Sequence, residues 1–190
     1  MQLSHFFRHR AVWQPAARLS RLAVPEHFRP WLLDASSLTR RVVSACGGDF
    51  GVQVLAQAWQ RPHPDEHHCL GMRAGAIALV RQVRLTCDGH PWVYARTVIP
   101  RTTLTGRERR LGHLGNRPLG AALFADPTME RGPVEVACIL PGEALFDLAA
   151  RGLAPAPARI WGRRSVFRLS GKPLLVSEFF LPDIPPSPCC

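Results

Sequence analysis

The chain is almost devoid of lysine. Of its 190 residues 24 are basic, and all of these but Lys172 are arginine. Set against 14 acidic residues, they give a formal charge of +10. Nucleic-acid and membrane patches usually mix lysine with arginine in dense clusters. Here the arginines are spread along the whole chain. A genomic bias towards Arg, Ala, Gly and Pro accounts for most of that charge, so the informative arginines are those in unexpected places. No apolar run reaches the roughly 18–20 residues of a membrane span. Residues 1–13 hold no signal-peptide core,. The expected address is therefore the cytoplasm, without stable membrane insertion.

Other absences narrow the chemistry. The six cysteines (46, 69, 87, 138, 189 and 190) form no C-x-x-C pair. Without a secretion signal they are expected to be reduced, not part of a disulfide framework. There is no G-x-G-x-x-G, no P-loop and no β-α-β periodicity, which disfavours nucleotide-cofactor folds. The cluster His63, Asp65, Glu66, His67, His68 and Cys69 lacks H-E-x-x-H spacing and lies beside Pro62 and Pro64. It reads as a solvated loop, with no metal.

What is present suits one α+β domain. Apolar residues make up 46% of the chain, enough for a core,. Residues 1–28 read as an irregular arm, 29–182 as the domain and 183–190 as a loose, Pro-rich tail. Residues 30–43 predict helix, turn, helix, with Ser36 or Ser37 placed to cap the second. Strands are expected at 50–59, 77–87, 92–99, 132–139, 159–169 and 174–181. Asp88-Gly89 marks a tight hairpin turn, and Ser170 to Pro173 a second hairpin. Helices are expected at 104–114, 118–124 and within 141–149. Hairpin-linked strands with interspersed helices indicate a roughly six-stranded antiparallel sheet.

Alternation then isolates individual charges. Residues i and i+2 of a strand share a face. Arg81 falls among Ile77, Leu79, Val83 and Leu85, and Glu178 among Leu174, Val176 and Phe180. A two-residue turn at Asp88-Gly89 would set Arg81 directly opposite Arg96. A buried guanidinium needs a partner. Two readings follow: a structural ion pair, such as Glu178 with Arg81 or Arg163, or an enclosed pocket in which arginine receives a carboxylate and Glu178 handles a hydroxyl or a proton.

Five segments in order resemble the chorismate pyruvate-lyase family. They are Val80-Arg81-Gln82-Val83 through Trp92, Ala95-Arg96-Thr97-Val98-Ile99-Pro100, Leu114-Gly115-Asn116-Arg117-Pro118-Leu119-Gly120, Trp161-Gly162-Arg163-Arg164-Ser165, and Leu169-Ser170-Gly171-Lys172-Pro173-Leu174-Leu175 with Ser177-Glu178-Phe179-Phe180. The resemblance implies conversion of chorismate to 4-hydroxybenzoate and pyruvate, the first committed step of ubiquinone synthesis. It implies a monomer without cofactor or metal, whose flap-like segments cover an internal site. The family's ligand contacts fall on Leu38, Arg81, Leu119 and Glu178, those at Leu38 and Leu119 largely through backbone N–H groups. Arg81 and Glu178 are the expected catalytic pair, and Arg96 is a secondary candidate for the enolpyruvyl carboxylate or for substrate entry. Position 38 is Leu where the best-known members have Met, and residues 140–157 read as an insertion.

Two other readings compete. The same fold resembles the effector domain of bacterial transcription regulators, although only about 30 residues precede the matched region, too few for a DNA-binding domain. Arg107, Arg109, Arg110 and Arg117 form a basic run, better read as a solvated helix face than as a nucleic-acid surface. The expected partner is a small dicarboxylate, not a nucleic acid.

Overall fold

The computed structural model describes residues 11–19 and 24–186. Eight strands form one antiparallel sheet: β1 (Gln14–Pro15), β2 (Phe50–Gln60), β3 (Ala78–Cys87), β4 (His90–Pro100), β5 (Met129–Arg131), β6 (Glu135–Ile139), β7 (Ile160–Leu169) and β8 (Lys172–Phe180). Their order is β1-β6-β7-β8-β4-β3-β2, and β5 also pairs with β7. The α+β class and the six main strands match the sequence reading. The two additional strands span two and three residues, too short to show alternation.

Both hairpin turns place two successive residues at positive φ, as the tight type I′ turn requires: Asp88 and Gly89 at 49° and 79°, Ser170 and Gly171 at 50° and 76°,. The two-residue turn at Asp88-Gly89 is therefore as expected, with Cys87 opposite His90. The register beyond it is not. An irregularity between Leu85 and Thr86 adds one residue on β4, so that Leu85 pairs with Val93 and Arg81 pairs with Thr97. Arg96 pairs with Gln82 and thus lies on the opposite face from Arg81. A one-residue slip moves every later side chain to the other face.

Among the described residues five short α-helices cover the sheet: α1 (Arg29–Leu33), α2 (Leu38–Ala45), α3 (Pro64–Cys69), α4 (Leu119–Phe124) and α5 (Ala144–Ala149). Ser37 caps α2, its Oγ accepting from the Arg40 N–H. On the front face Trp31, Leu32, Leu38 and Val42 pack on Val83, Leu85, Val93, Trp161 and Phe180. Further along that face Leu111 and Leu123 pack on Leu79, Ile99, Phe167 and Leu174. The back face is covered by Leu145, Phe146 and Ala149 of α5, against Tyr94, Ile160 and Phe179. The 140–157 stretch thus contributes to the back layer, away from the Arg81 face. Gly162 is needed in that layer, since a Cβ there would meet the Phe179 ring at 2.5 Å.

Four local expectations need correction. The His/Pro segment contains helix α3, started by Pro64 and by Glu66, whose carboxylate accepts from the His63 N–H,. The polar segment after β4 is a 3-10 helix at Gly106–His113, tighter than the expected α-helix. Cys46 and Cys87 form a disulfide that ties the end of α2 to the end of β3. Spacing along the chain gave no sign of that pair, which the fold brings together across 41 positions. Finally, the expected loose tail is docked over its first residues. Ile184 is buried, and the Trp31 indole N–H donates to the Pro185 carbonyl at 2.9 Å. Cys189 and Cys190 lie outside the described residues.

Candidate functional site

The strand register lays the front face out in rows. Directly paired residues share a face, so Arg81, Thr97, Val176 and Ser165 form one row across β3, β4, β8 and β7. Val83, Ala95, Glu178 and Arg163 form the next. Apolar rows flank these two: Leu79, Ile99, Leu174 and Phe167 on one side, Leu85, Val93, Phe180 and Trp161 on the other. The polar rows are the floor of a cavity between the two front-face apolar clusters, roofed by the start of α2 and of α4. Its empty space is about 610 Å³, the mouth included. Leu38, Arg81, Leu119 and Glu178 all line it. Four positions expected from the sequence thus come together from two strands and two helices.

Helices α2 and α4 approach closely at the cavity. A Cβ on Gly120 would lie 2.7 Å from the Thr39 Oγ1. Only a residue without a side chain permits that approach. Pro118 precedes α4 at its N-cap and fixes the direction of entry.

Arg81 is 2% exposed. One terminal nitrogen donates to the Gln57 Oε1 at 3.1 Å, the other to the Gly115 carbonyl at 2.7 Å and the Arg117 carbonyl at 3.4 Å. Among the described residues no carboxylate pairs with it. Burial accordingly pushes its pKa down, with no acidic neighbour to oppose the shift,. The same contacts hold the 115–117 loop that leads into α4. A neutral hydrogen-bonding shell leaves the charge itself uncompensated, which is the electrostatic character of an anion site.

Glu178 takes the ion-pair partner that one sequence reading named. The Arg163 Nε donates to its Oε2 at 2.7 Å. Arg163 is 1% exposed and also donates to the Trp31 carbonyl at 2.8 Å and the Asp34 carbonyl at 2.5 Å. It therefore holds Glu178 and the α1–α2 turn together. The Glu178 Oε1 receives no hydrogen bond from any described residue. One oxygen is thus anchored, on a side chain that lines the cavity.

Arg96 is not part of this site. On the back face its Nε donates to the Glu66 Oε1 at 2.6 Å and its Nη2 to the Glu66 Oε2 at 2.9 Å. Both partners are nearly fully buried, at 3% and 1% exposure. Desolvation pulls the Arg96 pKa down, but the Glu66 hydrogen bond and charge outweigh it, and the net shift is upward. This is a committed structural pair.

The cavity also holds an arginine that the sequence reading missed. Arg131 on β5 lines it, its Nη1 donating to the Ala35 carbonyl at 2.6 Å and its Nε to the Ser165 Oγ at 3.2 Å. A three-residue strand shows too little alternation to place a side chain.

Among the described residues no group of three or more His, Cys, Asp or Glu could hold a metal ion. The His63–Cys69 residues have other partners: Asp65 receives Arg164 at 2.7 Å, and Glu66 receives Arg96. In the basic run, Arg110 pairs with Asp126 and Arg117 donates to the Leu114 and His113 carbonyls.

The chorismate lyase family model matches residues 7–186. The "Probable chorismate pyruvate-lyase" of Aromatoleum aromaticum is 47% identical over 178 residues, covering 93% of this chain and 95% of the relative. That of Azoarcus sp. is 49% identical over 179 residues, covering 90% and 94%. Among solved structures, PhnF from Mycobacterium smegmatis superposes with a TM-score of 0.56 at 19% identity, covering 80% of this chain and 66% of that one. A GntR-family transcriptional regulator from Bacillus cereus superposes with a TM-score of 0.52 at 13% identity, covering 72% and 94%. At such identities the structural likeness speaks to the fold alone. By sequence, over nearly its whole length, the chain belongs to the chorismate lyase family.

Proposed function

We propose that this chain is a lyase that converts chorismate to 4-hydroxybenzoate and pyruvate, the first committed step of ubiquinone synthesis. The observation that carries the reading is the buried Arg81, without an acidic partner among the described residues, in one cavity with Glu178. Arg81 would fork onto the ring carboxylate, and backbone N–H groups at Leu38 and Leu119 would complete its cradle. In the reaction the ring–ether C–O bond breaks, with its electron pair leaving on the enolpyruvyl oxygen. The adjacent ring C–H gives up its proton, and the enolpyruvyl methylene gains one to become pyruvate. Atoms and electrons balance without a cofactor, and aromatisation supplies the driving force. The protein's contribution is positioning and charge handling. Glu178, a carboxylate ion-paired with Arg163 through one oxygen, would orient the ether, or would pass on a proton after taking it from the ring C–H,.

Incubation with chorismate should produce 4-hydroxybenzoate, followed by its absorbance, and an equal amount of pyruvate. Binding without turnover would instead favour a ligand-sensing role for the fold. In Glu178→Gln, turnover should fall by more than product affinity does. Equal losses would remove the proton-transfer role. We further propose a cytoplasmic monomer in which 1–28 is an arm docked on the 29–182 domain through β1, and 183–190 a tail whose first residues pack on it. The cytoplasm normally keeps thiols reduced, so a thiol count on freshly lysed cells tests that address against the Cys46–Cys87 bond. Sedimentation tests the monomer.

A further inference from the structure

The row that begins at Arg81 ends at Ser165, three strands away. At about 4.8 Å per strand their backbones stand roughly 14 Å apart. Ser165 holds Arg131, whose guanidinium also lies over the Phe167 ring, 5.2 Å from its centroid. Nη2 of Arg131 has no partner among the described residues, and no described carboxylate pairs with this side chain. Burial lowers its pKa, and the positive charge of Arg163 lowers it further, against the weaker pull of Glu178 and Asp34. Thr97 and Val176 form the floor between the two ends. One cavity thus carries two guanidinium groups without acidic partners among the described residues, one at each end of a short row of its floor.

We infer that Arg131 receives the second carboxylate of the substrate and is the residue that selects a dicarboxylate over a monocarboxylate. The inference rests on the lyase reading for the identity of the substrate, but its anion chemistry can be tested without turnover. The probes are 3-(carboxymethoxy)benzoate, a dicarboxylate, and 3-methoxybenzoate, its monocarboxylate counterpart, titrated by calorimetry. The intact protein should bind the dicarboxylate at least 10-fold more tightly. Arg131→Met keeps the apolar stem on Phe167 and should abolish that preference while changing 3-methoxybenzoate affinity less than 3-fold. Arg131→Lys should restore part of it, and serves if the Met variant does not fold. With chorismate, Arg131→Met should raise KM about 10-fold or more. Equal affinity of the intact protein for the two probes, or equal losses for both in Arg131→Met, would overturn the inference. Retained dicarboxylate preference with no chorismate turnover would remove the lyase reading and leave the anion site standing.

Discussion

Arg96 and Arg164 stand on the back of the sheet with carboxylates at 2.6–2.7 Å, from Glu66, Asp65 and Glu135. Arg81 and Arg131 stand on the front and are held by carbonyls, an amide and a hydroxyl. The chemical groups are the same, yet their electrostatics differ. Glu66 drives the Arg96 pKa up, while burial drives those of Arg81 and Arg131 down. A paired guanidinium has spent its charge on the fold. One held only by neutral acceptors keeps that charge for an incoming anion. Burial therefore does not separate these two kinds of arginine in this protein; the identity of the partner does.

That contrast can be broken most directly at the back. Arg96→Ala leaves Glu66 as a buried, uncompensated carboxylate and should cost about 3–5 kcal/mol of stability. Urea denaturation measures it, and joint replacement by Glu66→Leu and Arg96→Met should recover most of the loss. Arg81→Ala should act on ligand more than on fold. Calorimetric affinity for 4-hydroxybenzoate should fall by about 2–5 kcal/mol, the usual cost of truncating one member of a buried charge pair. A variant that unfolds while Arg96→Ala stays native would reverse the contrast. The front is also closed covalently, whereas Cys69 and Cys138 remain free thiols. Cys46→Ser should therefore lower stability by roughly 2–4 kcal/mol, and a reductant should bring the parent protein to the same midpoint.

The smallest effect belongs to the turn beneath α2. Burial works against the Asp34 charge, but the hydrogen bonds from Ser36 and the charge of Arg41 prevail and lower its pKa to about 2. Its folded pKa lies below its unfolded value, so this contribution is present above about pH 4 and is lost as pH falls towards 2. Asp34→Asn should cost about 1 kcal/mol at neutral pH. Thermal melts of variant and parent should draw together as pH falls below about 4 and converge only near pH 2,.

Arg81 and Glu178 were legible from alternation, because a charge flanked by aliphatic residues at i±2 can hardly avoid the core. Leu38 and Leu119 were not. They are ordinary apolar residues at helix starts, and only the family resemblance singled them out. Arg96 was expected opposite Arg81 from the two-residue turn and was misplaced. Pattern gives the spacing of a face, and one extra residue on β4 reverses which face it is. Glu66 was visible only as part of a His-rich cluster, since its partner lies 30 positions away.

The sequence alone determined the α+β class, the six main strands, both hairpin turns and the anomaly at Arg81 and Glu178, because each of these is written in local periodicity and turn chemistry. Tertiary structure decided which side of the sheet each arginine occupies, which acid it meets, that Cys46 reaches Cys87, and that Arg131 enters the cavity. These depend on register and long-range packing, where a single inserted residue changes every partner downstream while leaving the local pattern intact.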